Sequence, residues 1–192
     1  MRHLIDTYIR AEESEKISAF DDMSLVELIV ERGTAAVDEL PKGIRENKDA
    51  VAETIENNVR KLIIDESPVN PKYYETMSEL LDTLITQRKQ EALDYEQYLA
   101  KIVALTKKVA NPENAAYPVS LNSPARRALY DNLSKNEALA LAVDEEIRRV
   151  KKDGFRGNKI KEREVRNAIR RIVADEDLAN LVFNIVVSQD EY

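Results

Sequence analysis

Residues 48–66 read KDAVAETIENNVRKLIIDE, and the Ser67-Pro68-Val69-Asn70-Pro71 that follows interrupts the pattern. Val51, Ile55, Val59, Leu62 and Ile63 recur at steps of three and four, which gathers them on one face of a helix. Asn70 has the side chain of an N-cap, and Pro71 fits the first turn that the cap opens. The helix behind it carries Tyr74, Met77, Leu80, Leu81, Leu84 and Ile85 at core spacing.

The same period extends in both directions. Upstream, Ser24-Leu25-Val26-Glu27 is a capping box opening a helix that ends at Gly33, and a short helical piece follows as far as Pro41. The chain starts without a cap, since Leu4-Ile5-Asp6-Thr7-Tyr8-Ile9-Arg10 already looks like a helix interior; this fits a fragment of something longer. Downstream, a helix covers about 94–110, and a loop from Asn111 to Asn122 holds Pro112 and Pro118. Ser123-Pro124 restarts a helix through Leu129. Ser134-Lys135-Asn136-Glu137 reads as a second capping box, leading a helix that ends near Lys152. A tight turn, Asp153 to Asn158, precedes helices at about 159–173 and 175–187, although Val186-Val187 also suits a short strand. The expected fold is all-α, an irregular multi-helix bundle. The break at 67–71 divides it into segments 1–66 and 67–192.

Composition agrees. Four glycines and six prolines in 192 residues leave little room for the turns of a sandwich or barrel. The absence of cysteine excludes disulfides and thiolate metal sites. No signal-peptide core and no membrane-length apolar run is present, so a cytoplasmic protein is expected.

Catalytic patterns are scarce. His3 is the single histidine, too few for a triad or a histidine metal site. No Gly-x-x-x-x-Gly-Lys-Ser/Thr is present to wrap phosphates. Asp38 with Glu46-Asn47-Lys48 satisfies the letter of a metal-dependent nuclease pattern, but lies around a turn and reads as surface. Asp144-Glu145-Glu146 are consecutive acids that a helix points in different directions, a solvated face.

Charge is distributed unevenly. The chain carries a net −7, yet residues 148–171 hold eleven Lys or Arg against three acids. At 100° per residue, Lys159, Arg163, Arg166 and Arg170 fall on one side of a helix, with Val165, Ala168, Ile169 and Ile172 opposite. The turn ahead of it places Gly154 and Gly157 in a Gly-x-x-Gly arrangement beside Arg156 and Asn158. Such a turn lets backbone approach phosphates, and it also serves as an ordinary helix stop. Arg156, Asn158, Lys159, Arg163, Arg166 and Arg170 are therefore the candidate surface for an anionic partner, either nucleic acid or acidic protein.

Several stretches share one likeness. Leu4 to Glu12, Asp49 to Lys61, Tyr73 to Leu81, Ala125 to Leu133, and above all Asp153 to Asn167 (DGFRGNKIKEREVRN) and Gln189-Asp190-Glu191-Tyr192 resemble the C-terminal part of the restriction (HsdR) subunit of type I restriction-modification enzymes. The resemblance implies a parent subunit with a nuclease domain and ATP-driven, DNA-translocating motor lobes. ATP and Mg²⁺ belong to those parts, and none of their motifs maps onto this sequence. It further implies a non-catalytic helical module that docks onto the methyltransferase core of modification and specificity subunits, with DNA in the assembled complex. The alternative is a self-sufficient nucleic-acid-binding module built on the Gly154–Gly157 turn and the basic helix.

Overall fold

The computed structural model describes residues 24–192. His3 and the run from Leu4 to Arg10 lie outside them. The described residues form nine α-helices and no strand, an all-α multi-helix bundle. In chain order the helices are α1 (Leu25–Arg32), α2 (Lys42–Arg45), α3 (Lys48–Glu66), α4 (Pro71–Lys89), α5 (Tyr95–Ala110), α6 (Pro124–Asn132), α7 (Glu137–Val150), α8 (Lys159–Ile172) and α9 (Glu176–Ser188). A 3₁₀ turn, Gly33–Glu39, follows α1; Gly33 enters it at φ 63°, a left-handed value that suits glycine.

Local chemistry explains most boundaries. Ser24 and Glu27 form the full reciprocal capping box of α1. Asn47 caps α3, Asn70 caps α4 ahead of Pro71, and Asp94 caps α5. The second expected capping box differs. Asn136, not Ser134, caps α7, accepting from the Leu139 amide at 3.1 Å. Ser134 and Lys135 instead take left-handed backbone (φ 55° and 59°), and the Ser120 hydroxyl donates to the Glu137 carboxylate. Val186 and Val187 are helical, within α9. Leu80, expected in the core, is 42% exposed.

Two apolar cores form. The first gathers α1, α3, α4 and α5 around Ile29, Val51, Ile55, Leu81, Tyr98 and Ile102. The second gathers α6 to α9 around Leu129, Val143, Ile147, Val165, Ile169 and Val182. The cores divide in the loop after α5 rather than at 67–71, because α3 and α4 bury their apolar faces against each other.

The 67–71 segment is instead a joint between the cores. Asn70 Nδ2 donates to Asp131 Oδ2 at 2.7 Å, and Asn132 Nδ2 donates to Asn70 Oδ1 at 2.8 Å. Gln189, buried at the end of the chain, donates to the Val69 carbonyl at 2.7 Å. Asn70→Ala removes a helix cap and both side-chain bonds, so it should lower stability by about 1–2 kcal/mol. Urea unfolding measures this; an unchanged midpoint would mean that the joint contributes nothing.

Candidate functional site

Helix α8 is built as its sequence periodicity requires. Val165, Ala168 and Ile169 are buried between α7 and α9, and Phe155 is buried beneath the preceding turn. Asn158 starts the helix by accepting from the Ile160 and Lys161 amides, each at 3.2 Å. The basic side is therefore held outward by a rigid support.

Most of its charge is answered inside the protein. Arg156 donates from Nε to the Val187 carbonyl at 2.9 Å and from Nη2 to the Gln189 carbonyl. The Arg166 guanidinium lies over the Phe183 ring, 3.6 Å from its centroid, and donates to Asn180 Oδ1 at 3.3 Å. Arg170 pairs with Glu176, and Arg171 with Glu146 at 2.7 Å. Lys152 pairs with Glu164 at 2.9 Å, and Lys161 Nζ donates to the Asp153 carbonyl at 2.7 Å. The Arg149 and Arg171 guanidiniums hold the Glu146 carboxyl down to about 2. The expected continuous cationic stripe thus shrinks. Among the candidate cations, Lys159 and Arg163 alone make neither an ion pair nor a side-chain hydrogen bond among the described residues. Beside them Ile160 stands 67% exposed.

The glycine turn is closed in the same way. Gly154 and Gly157 take positive φ (63° and 76°), as the turn requires. The Gly157 amide donates to Glu162 Oε1 at 2.8 Å. A carboxylate thus already takes the turn's own amide, and the Asn158 side chain takes those of Ile160 and Lys161.

The acids behave differently from their sequence reading. Asp144 is fully buried in the second core rather than part of a solvated face. It accepts from Arg126 Nε at 2.7 Å, Arg148 Nε at 2.8 Å and the Tyr192 hydroxyl at 2.7 Å. Glu191 adds a bond to Arg148 and accepts from the Ala125 amide at the start of α6. In the first core, Glu56 is 6% exposed and accepts from Arg88 and from the Tyr98 hydroxyl at 2.7 Å. Helical spacing carries both signals: Asp144 follows Ala140 and Val143 and precedes Ile147, while Glu56 lies between Ala52, Ile55 and Val59.

Asp38, Glu46 and Lys48 are not gathered. The Asp38 carbonyl accepts from Arg45, Glu46 faces Lys42, and Lys48 lies over the Tyr95 ring. No group of three or more His, Cys, Asp or Glu among the described residues is placed to hold a metal ion. No described helix is long and apolar enough to cross a membrane. Neither family models, nor curated proteins, nor solved structures contain a match to the chain.

Proposed function

We propose that the chain is a helical docking module of a type I restriction subunit, and that the edge formed by Lys159, Ile160 and Arg163 holds that subunit on its methyltransferase core. The observation that carries the reading is that edge. It sets an exposed isoleucine beside two outward cations on a helix whose other charges are internally satisfied among the described residues. An apolar anchor with two cations at its side suits a protein surface that sets an acidic patch beside an apolar one. The resemblance over 153–167 supplies the expected partner, the modification and specificity subunits. Docking requires neither ATP nor Mg²⁺ on this chain.

Phosphate capture by the Gly154–Gly157 turn is the less favoured reading. Its key amide already donates to Glu162, so a phosphate would first have to displace a carboxylate.

The triple variant Lys159→Glu, Ile160→Ser, Arg163→Glu should keep its helical content and lose roughly tenfold to a hundredfold in affinity for the methyltransferase core. Titration calorimetry with the modification and specificity subunits from the same genome measures it. Arg166→Ala and Arg170→Ala, whose charges are spent inside the protein, should change stability rather than affinity. If those two weaken binding and the triple variant does not, the reading fails.

A further inference from the structure

A groove on a different face runs past α4, the end of α5, the loop that follows it and the end of α6. Two adjoining cavities of about 580 and 370 Å³ form it, sharing Tyr73, Met77 and Ala115. The first is walled by the half-buried rings of Tyr73, Tyr117 and Tyr130. Tyr117 and Tyr130 stand nearly at right angles, with centroids 6.2 Å apart. Two hydroxyls point into the protein: Tyr73 donates to the Lys108 carbonyl and Tyr117 to Asp131 Oδ2, each at 2.7 Å. Those two residues therefore offer ring surface rather than polar groups. The other carboxylate oxygen of Asp131, Oδ1, has no hydrogen-bond donor among the described residues.

Cations line the groove. Lys72 and Lys135 border the first cavity, and Lys107 and Lys108 the second. Lys72 is paired with Glu75 at 2.6 Å; the other three make no ion pair among the described residues. The left-handed backbone at Ser134 and Lys135, closed by the Lys135 amide donating to the Tyr130 carbonyl at 2.9 Å, fixes Lys135 at the rim. Asp131, in the first cavity, is the one acid among the described residues that line the two, in a chain whose net charge is −7.

From this juxtaposition of tyrosine rings and lysines, we infer that the groove binds a single strand of nucleic acid. Its bases would stack on the tyrosines and its phosphates would track Lys107, Lys108 and Lys135. Stacking platforms combined with a cationic track are what an unpaired strand needs, whereas a duplex keeps its base faces inside. Asp131 Oδ1 is available to accept an N–H from a base edge. Two cavities and three cations along one groove suit a strand with several phosphates better than a lone nucleotide. This inference does not rest on the docking reading, because the docking edge lies on α8.

The test is fluorescence anisotropy of a labelled short oligodeoxythymidine with the full chain at low salt. The strand should bind, with affinity falling as salt rises. Lys107→Ala/Lys108→Ala/Lys135→Ala should reduce the slope of log K against log salt by about 2, at about 0.7 per lost phosphate contact. An abasic strand of equal length should bind about tenfold more weakly, since it keeps the phosphates but lacks the stacking rings. The Lys159/Ile160/Arg163 variant should bind the strand as the parent chain does. Failure of the strand to bind, equal binding of the abasic strand or a matched duplex, or an unchanged salt slope in the lysine variant would each overturn the inference.

Discussion

Asp144→Ala should lower the stability of the chain by about 2–4 kcal/mol, equivalent to a fall in Tm of roughly 5–15 °C. The carboxylate is fully buried, and three donors converge on it. Its removal strands the buried Tyr192 hydroxyl and takes the shared counter-charge from Arg126 and Arg148, of which Arg148 keeps Glu191 at 3.1 Å. The two guanidiniums keep 30% and 38% of their side-chain surface in water, which places the effect below that of a fully buried pair. Tyr192→Phe removes one bond of the three and should cost only about 0.5–1.5 kcal/mol. A loss below about 1 kcal/mol for Asp144→Ala would mean that water replaces the carboxylate easily.

The same residue sets a pH dependence. Burial alone would raise the Asp144 carboxyl, but hydrogen bonds from Arg126, Tyr192 and Arg148 outweigh it and hold the group below its ordinary 3.8. The unfolded chain therefore binds the proton more readily than the folded one. The stabilisation is complete above the ordinary value and is lost as pH falls through the lowered one. The urea midpoints of the parent and Asp144→Ala should differ widely at neutral pH and converge below about pH 4.

Glu56→Ala should have an effect of similar size, about 2–4 kcal/mol, on the first core. Arg88 donates to Glu56 through Nε at 2.9 Å and Nη2 at 3.2 Å, and its side chain is only 14% exposed. The Tyr98 hydroxyl, held in its protonated form by burial and by Glu56, would lose its acceptor. Arg88 keeps Asp49 at 2.9 Å, so the guanidinium is not left wholly unpaired. Glu56→Gln retains an acceptor and should cost less. Because Glu56 and Asp144 lie in different cores, the two losses should add to within about 0.5 kcal/mol. Thermal and urea unfolding of the single and double variants decide this; strong non-additivity would mean that the joint at Asn70 couples the cores more tightly than its hydrogen bonds imply.

Much of the fold was legible. Caps at Ser24 and Asn70, the helix restart at Ser123-Pro124, and the three- and four-residue apolar steps located the main helices because these signals are local. The division of the cores was not. A Pro-rich break marks where a helix ends, and it says nothing about which faces meet afterwards; α3 and α4 turn back on each other across 67–71. The second capping box does not form because the left-handed turn at Ser134 and Lys135 starts the helix two residues later, where Asn136 accepts from the Leu139 amide instead.

The candidate surface was half legible. Helical spacing correctly placed Lys159, Arg163, Arg166 and Arg170 on one side of α8. It overestimated their freedom, since the groups that answer Arg166 and Arg170 come from α9: Phe183, Asn180 and Glu176. All three lie outside the 148–171 segment, and only Glu176 is an acid. The roles of Asp144 and Glu56 are written in the periodicity, but acids in a charge-rich helix look solvated unless their apolar neighbours are taken with them. The tail residues Gln189, Glu191 and Tyr192 carry no local signal, as their partners lie in the 67–71 segment, α6 and α7.

The most direct test of the docking account is hydrogen–deuterium exchange of the chain, free and with its methyltransferase core. The first-turn amides of α8 are satisfied only by the Asn158 side chain at an exposed end, so they should exchange quickly in the free chain. Docking through Lys159, Ile160 and Arg163 predicts new protection concentrated over residues 158–164. Protection confined to other surfaces, or none despite complex formation, would contradict it.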